Sequence, residues 1–194
     1  MMEATGIVLA AGASRRLGQP KQLLSYRGRP LLDSTLDMAR KCGFRQIIVA
    51  LGGAADRIRE QVDLTGVQTV QCDSFADGCG SSIRTAITEV DPEVRGVVLL
   101  PGDQPGVDPA TVRALVSRGR EASIGICRYR NGWGHPFWFG RDLFAHLATL
   151  HGNKAVWKLL HSGRFPVTEH DVSADVPLDV DTWADYQTLI EQPR

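Results

Sequence analysis

Residues 6–21, GIVLAAGASRRLGQPK, constrain the fold more than any other part of the chain. The apolar run at positions 7–11 is typical of a buried strand, and it stops at Gly12. The Gly-Ala-Ser sequence that follows indicates a tight turn at the carboxyl end of that strand. Because ligands of open α/β sheets bind at the carboxyl ends of the strands, this stretch predicts a strand that leads into a ligand-binding loop.

The loop is rich in glycine and in basic side chains. Its candidate ligand-binding residues are Gly12, Ser14, Arg15, Arg16, Gly18 and Lys21. Glycines let backbone N–H groups approach a ligand closely, while guanidinium and ammonium groups neutralise negative charge, so the loop predicts a polyphosphate ligand. A basic surface turn without a ligand is the alternative.

Neither of two common phosphate-binding loops matches this pattern. Ser14 and Leu17 stand where a dinucleotide fingerprint starting at Gly12 needs glycines, and Leu17 and Gly18 stand where a Walker A loop needs glycine and lysine. The loop instead resembles the LAAGxSxRxGxxK signature of the MobA-like NTP transferases, which include the molybdenum cofactor cytidylyltransferase and its guanylyl counterpart. The matching residues are Leu9, Ala10, Ala11, Gly12, Ser14, Arg16, Gly18 and Lys21. The resemblance implies that these residues, Gly18 apart, bind nucleotide and that Arg16 and Lys21 are catalytic.

Composition predicts an ordinary globular protein. The 194 residues are 43% hydrophobic and 23% charged, enough for one sizeable core, and we expect a single domain over residues 1–194. A net charge of zero argues against a nucleic-acid partner. Residues 1–60 hold ten Lys or Arg against five acids, whereas 165–193 hold seven acids and no Lys or Arg. The two segments could face each other across a metal and phosphate site.

Cysteine usage and hydropathy predict a cytoplasmic protein without a membrane partner. Cys42, Cys72, Cys79 and Cys127 have neither CxxC spacing nor a zinc pattern, so we expect reduced thiols. No signal-peptide pattern is present, and no apolar run approaches the roughly 20 residues that span a bilayer.

Strand and helix patterns alternate along the chain. Strands are predicted at 7–11, 46–51, 67–72, 94–100, 123–129 and 165–170, and helices at 30–43, 54–62, 81–90, 109–121, 141–150, 154–160 and 182–190. Ser81 or Ser82 is expected to cap the third helix, and Thr182 or Asp181 the last. The pattern loosens after residue 130. This alternation predicts a doubly wound α/β fold, a mostly parallel sheet with helices on both faces, as in the Rossmann-like nucleotidyltransferases.

Three carboxylates are candidate metal ligands. Asp103 follows the most apolar strand, where a carboxylate can hold a Mg²⁺ that bridges phosphates, although it could also be a simple turn residue. Asp179 and Asp181 alternate and would point to one face of an extended segment. The surrounding GDQP and DVDTWAD sequences resemble the family's LxDQP and DVDTPED motifs, which implies that all three aspartates bind metal. Trp183 and Ala184 depart from that pattern.

Two further positions are candidate substrate contacts. Ser82 lies in a segment that resembles the family's SSSLRxGL motif, which implies a contact to the nucleotide; a helix cap is the alternative. His135 matches a GHP motif, which implies a contact to the acceptor's anionic phosphate; a structural histidine is the alternative. Asn153 and Lys154 replace an acid and an arginine, which leaves the acceptor open.

No nucleophile–base pairing is supported by the spacing, which suits nucleotidyl transfer because the attacking phosphate is already anionic. The resemblance implies that the protein uses Mg²⁺ and CTP to transfer CMP to the phosphate of molybdopterin, releasing pyrophosphate, with Arg16, Lys21 and Asp103 catalytic. A guanylyltransferase using GTP, a transferase for another phosphorylated acceptor, and a noncatalytic nucleotide or pterin carrier remain alternatives. A molybdoenzyme would be a transient partner.

Overall fold

The computed structural model describes residues 2–119 and 122–192. The strands are β1 (Met2–Ala10), β2 (Ser25–Tyr26), β3 (Arg29–Pro30), β4 (Phe44–Leu51), β5 (Gln68–Gln71), β6 (Gly96–Pro101), β7 (Ile124–Tyr129), β8 (Gly132–Gly140) and β9 (Val167–Asp171). The α-helices are α1 (Leu31–Cys42), α2 (Ala55–Gln61), α3 (Cys79–Ile87), α4 (Pro109–Gly119), α5 (Phe144–Leu147), α6 (Ala155–Leu160) and α7 (Trp183–Glu191). No helix within the described residues is long and apolar enough to cross a membrane.

Seven strands form one sheet in the order β5-β4-β1-β6-β8-β7-β9. Neighbours are parallel except at β8, which runs antiparallel to both β6 and β7. The predicted mostly parallel doubly wound fold is confirmed. Strand β8 was not predicted, because Gly132 and Gly134 interrupt the apolar pattern at its start, where it pairs with β7 across a register shift.

Helices cover both faces of the sheet, because the inner strands alternate apolar side chains between two cores. Val8 of β1 packs in one core with residues of α1, α2 and α4, and the adjacent Ile7 packs in the other with residues of α3, α5 and α6. Strand β6 shows the same division, with Val98 in the first core and Val97 in the second. The prediction that this strand is buried on both faces is confirmed.

Several element boundaries differ from the predictions. Helix α3 begins at Cys79 after an N-cap at Gly78, so Ser81 and Ser82 lie inside the helix and cap nothing. Gly78 has φ 104°, a conformation that favours glycine and lets the helix start earlier than serine capping would indicate. Helix α4 is described to Gly119, and the predicted helical residues 120 and 121 lie outside the described part. The predicted helix at 141–150 is a short 3₁₀ turn followed by α5.

The carboxyl ends of β1 and β6 are adjacent, since the two strands pair in register from Ala4 with Gly96 to Leu9 with Pro101. Strand β1 leads into the basic loop, and β6 leads into Gly102 and Asp103. The segment before α7 lies beside them, where the Val180 N–H donates to the Asp103 carbonyl over 3.4 Å. Three distant parts of the sequence therefore meet at one edge of the sheet.

Candidate functional site

A cleft of about 880 Å³ opens at this edge. Its lining includes most of the predicted site residues: Leu9, Ala11, Gly12, Ser14, Arg16, Lys21, Ser82, Asp103, His135, Asp179 and Asp181. Ala10 is buried in the core instead, where its carbonyl accepts a hydrogen bond of 2.8 Å from the Gln22 side chain. The structure thus brings nearly all of the predicted residues together, although their roles stay predictions.

The basic loop is held by its own hydrogen bonds. Ser14 has φ 50°, its carbonyl accepts from the Leu17 and Gly18 N–H groups, and its hydroxyl accepts from the Lys21 N–H over 3.0 Å. Gln22, which was not singled out from the sequence, donates to the carbonyls of both Ala10 and Gly12. The loop is therefore a folded turn with a fixed path and not an open coil.

A small apolar cluster attaches the basic loop to the acidic segment. Leu17 is 4% exposed and belongs to the same cluster as Val180 and Leu189 of α7. Val180 is fully buried and lies between Asp179 and Asp181 in the sequence. Burial of these side chains places the loop and the Asp179–Asp181 pair on the same side of the cleft. Helix α7 is capped by Thr182 and not by Asp181, which leaves the Asp181 carboxylate free for other partners.

Opposite charges from the three segments meet at Lys21. Its ammonium donates to the Asp103 carboxylate and, over 2.8 Å, to Asp181 Oδ1. Arg16 donates to Asp181 Oδ2 over 2.6 Å from a more exposed position. Burial opposes charging of Lys21, but the two carboxylates outweigh it and raise its pKa, while the same bonds with Lys21 and Arg16 lower the pKa of Asp181.

Asp179 is the third carboxylate of the cleft. Burial, reinforced by the negative charge of Asp103, raises the pKa of Asp179 to about 6. Among residues 2–119 and 122–192, no three or more His, Cys, Asp or Glu side chains are already arranged as a metal site. The donor set nevertheless fits a divalent cation, because carboxylate oxygens of Asp103 and Asp181 already converge on one cationic group, the Lys21 ammonium.

A second part of the lining surrounds Ser82, the predicted nucleotide contact. Its hydroxyl faces the buried thiol of Cys72, with 3.7 Å between Oγ and Sγ. Phe75 also lines the cleft, and its ring lies against Gly53, where an added Cβ would approach Phe75 Cζ to 2.9 Å. Phe75 was missed because a single aromatic residue in a loop has no periodicity to mark it.

His135 lies on β8 and lines the cleft next to the buried ring of Phe137. Burial lowers the pKa of His135 to about 4, so its imidazole is neutral near pH 7. The GHP resemblance implies that this residue contacts an anionic phosphate. A neutral imidazole adds no charge for that task, so any contact that it makes with a substrate is a hydrogen bond or a ring contact.

The 150–154 loop, where the sequence departs from the family pattern, forms another wall. It packs tightly on the start of α3, since a Cβ on Gly80 would lie 3.0 Å from the His151 backbone nitrogen. Arg84 contacts the His151 ring, with 3.1 Å between its guanidinium and Nδ1, and the Cys79 thiol donates to the Asn153 carbonyl over 3.0 Å. These contacts hold the 150–154 loop at the cleft, which Asn153 and Lys154 line.

Solved structures resemble this fold over nearly its whole length. The crystal structure of Rv0371c from Mycobacterium tuberculosis H37Rv is 52% identical, covers 98% of this chain and 99% of its own, and superposes with a TM-score of 0.93. The structure of Rv0371c in complex with manganese is 50% identical over the same shares and has a TM-score of 0.89.

Curated relatives match over a shorter stretch. Nicotine blue oxidoreductase of Paenarthrobacter nicotinovorans is 32% identical over 126 residues, which are 64% of this chain and 61% of that protein. The bifunctional protein GlmU of Burkholderia thailandensis is 35% identical over 123 residues, 62% of this chain and 26% of GlmU. This chain therefore spans less than two thirds of the length of either relative.

The model of the MobA-like NTP transferase domain matches residues 6–170, most of the sequence, and the chain belongs to that family.

Proposed function

We propose that this protein is a divalent-metal-dependent cytidylyltransferase that transfers CMP from CTP to the phosphate of a molybdopterin-type cofactor and releases pyrophosphate. The observation that carries the proposal is the meeting of Arg16 and Lys21 with Asp103 and Asp181 at the end of β1 and β6. Two cationic groups suit a triphosphate, and two carboxylates suit a metal ion. A cytoplasmic location and a transient molybdoenzyme partner belong to the same proposal.

In this mechanism the chain positions and neutralises charged groups. The acceptor phosphate oxygen attacks the α-phosphorus of CTP, the bond from that phosphorus to the bridging oxygen breaks, and pyrophosphate leaves with the bonding electrons. Arg16 and Lys21 hold the triphosphate, and Gly12, Ala13 and Ser14 line the same cleft, where backbone N–H groups can approach a phosphate. No base is required because the nucleophile is already ionised.

Asp103 and Asp181, with Asp179 beside them, would hold the metal ion. When bound, Mg²⁺ or Mn²⁺ supplies Lewis-acid neutralisation of the phosphates. Manganese is considered because a relative 50% identical to this chain has been crystallised with it. Lys21 must then release the carboxylates and turn toward the phosphates.

The test measures pyrophosphate release with purified molybdopterin-type cofactor and each of the four nucleoside triphosphates. We expect turnover with CTP and a loss of about a hundredfold or more in Asp103→Ala, since one charge-stabilising group contributes roughly 3 kcal/mol to such a barrier. Asp56→Ala is the matched control because Asp56 lies on α2 with a 95% exposed side chain and an ion pair to Arg59. It should retain full activity.

The same assay separates the alternatives. Turnover with GTP alone would identify a guanylyltransferase, and turnover with a different phosphorylated acceptor would replace the cofactor. Nucleotide or pterin binding without pyrophosphate release would indicate a noncatalytic carrier. One relative carries the name of an oxidoreductase, so conversion of nicotine blue belongs in the assay as a separate arm.

A further inference from the structure

One wall of the cleft is built from aromatic rings that come from two different elements. His135 and Phe137 of β8 have ring centroids 4.1 Å apart, and the Trp157 ring of α6 meets Phe137 edge-on at 5.4 Å. All three side chains line the cleft. We call this set the aromatic wall.

Two more rings extend the series outside the cleft lining. His161 lies 5.8 Å from Trp157 between centroids, and Trp133 lies 5.4 Å from His161. The contact with His161 limits the orientations of the Trp157 indole, whereas Trp133 contacts His161 and lies one ring further along the series. A ring that is held in place before the ligand arrives loses little conformational entropy on binding.

The aromatic wall is accessible and uncharged. Phe137 is fully buried and serves as its base, whereas Trp157 and His135 are only partly buried and present surface to the cleft. Burial lowers the pKa of His135 to about 4, which keeps its imidazole neutral. The neighbouring Val156 adds apolar surface. Such a surface suits the face of a planar ring and carries no positive charge for a phosphate.

If Trp157 served only to pack α6 against the core, its whole side chain would be buried in the protein. Val156 and Leu160 of α6 are about 5% exposed and already attach this helix to the core. Trp157 instead keeps part of its ring at the cleft. A volume of about 880 Å³ lies near the upper end of the range for small-molecule sites, which leaves room for a second ring beside a nucleotide.

We infer that the aromatic wall stacks against a planar, uncharged heteroaromatic ring of the acceptor substrate, with Trp157 as the residue that sets this specificity. The inference rests on the proposed nucleotidyl transfer and adds the wall of the cleft, and the residue in it, that recognise the acceptor's ring. Lys154, exposed at the same cleft, is placed to meet the acceptor's negative charge.

The test measures direct binding by calorimetry, with and without saturating CMP. Neopterin serves as a planar ring without phosphate, and glucose 1-phosphate as a phosphorylated ligand without an aromatic ring. Trp157→Leu keeps apolar bulk but removes the aromatic face, Trp157→Phe restores a face, and Trp133→Ala alters the ring series outside the cleft. Melting temperatures show whether each variant is folded.

We expect Trp157→Leu to weaken neopterin binding about tenfold or more, and Trp157→Phe and Trp133→Ala to stay within about threefold of the unmodified protein. Glucose 1-phosphate affinity should not change. Absent neopterin binding, or an equal loss in Trp133→Ala and Trp157→Leu, would overturn the inference.

The two proposals fail separately. Trp157-dependent neopterin binding without pyrophosphate release would refute the transferase and keep the aromatic site. Pyrophosphate release by the unmodified protein, together with normal neopterin binding by Trp157→Leu, would refute the aromatic site and keep the transferase.

Discussion

The ammonium of Lys21 donates a 2.8 Å hydrogen bond to the carboxylate of Asp181, 160 residues later in the chain, and a second bond to Asp103. A basic side chain therefore occupies the oxygens to which we assign the metal ion. Lys21 and a divalent cation should compete for them.

Removing that competition should strengthen metal binding. We expect Lys21→Met to bind Mn²⁺ several-fold more tightly than the unmodified protein in the absence of nucleotide, because the carboxylates keep their charge and lose their internal partner. Electron paramagnetic resonance titration of free Mn²⁺ measures this directly. Lys41→Met, which removes an exposed lysine on α1, is the control. Weaker Mn²⁺ binding in Lys21→Met would contradict the assignment.

Glycine at position 12 is expected to serve the ligand and not the fold. A Cβ there meets nothing closer than Lys21 Cε at 3.9 Å, so Gly12→Ala should change the free energy of unfolding by less than about 0.5 kcal/mol while weakening nucleotide binding.

Gly52, in contrast to Gly12, is expected to be required by the fold. A Cβ at Gly52 would overlap the Ala11 carbonyl oxygen, and Gly52→Ala should therefore lower stability by about 1–3 kcal/mol. Thermal unfolding and nucleotide titration of both variants test the pair. Unchanged nucleotide affinity in Gly12→Ala would show that no phosphate approaches this part of the loop.

The apolar cluster that contains Leu17 and Val180 should couple the position of the basic loop to nucleotide affinity. Leu17→Ala is expected to cost about 2–4 kcal/mol of stability, as truncation of a buried leucine does, and also to weaken CTP binding because the basic loop loses its attachment to the acidic segment. Leu115→Ala on α4, 1% exposed in a different cluster, is the matched control. It should lose similar stability and keep its CTP affinity at temperatures where both variants are folded.

The neutral imidazole of His135 should make stability sensitive to mild acid. Its pKa is about 4 in the folded protein and ordinarily 6.5, so the unfolded chain binds the additional proton between these values. The free energy of unfolding should consequently fall as the pH is lowered from about 6.5 to about 4, by up to about 3 kcal/mol from this residue. Urea unfolding of the unmodified protein and of His135→Asn at several pH values measures the difference. Parallel pH profiles for the two proteins would show that His135 is not the titrating group.

Patterns that lie within a short stretch of sequence were readable directly. The strand at 7–11, the turn after it and the apolar run at 94–100 each depend on neighbouring residues, and the α/β alternation follows from them. The helix cap at Thr182 was predicted as one of two choices, and the capping box with Asp185 explains the outcome. Local hydrogen bonding decided between two adjacent residues in that case.

Strand β8 and the early start of α3 were not readable in this way. Strand β8 begins with glycines that carry no periodic signal, and only pairing with β6 and β7 makes it a strand. The serines at 81 and 82 are common capping residues, but Gly78 holds the conformation that begins the helix.

By itself, the sequence determined the fold class, the strand and basic turn at residues 6–21, and the candidate metal ligands Asp103, Asp179 and Asp181. Only the tertiary structure decided that Lys21 bridges Asp103 and Asp181, that Leu17 and Val180 share one apolar cluster, and that rings from β8 and α6 share one wall of the cleft. The physical reason is the distance along the chain over which each interaction acts. Strand periodicity and turn chemistry act between residues close in the chain, whereas ion pairs, desolvation and ring contacts depend on distances that exist only after the sheet has assembled.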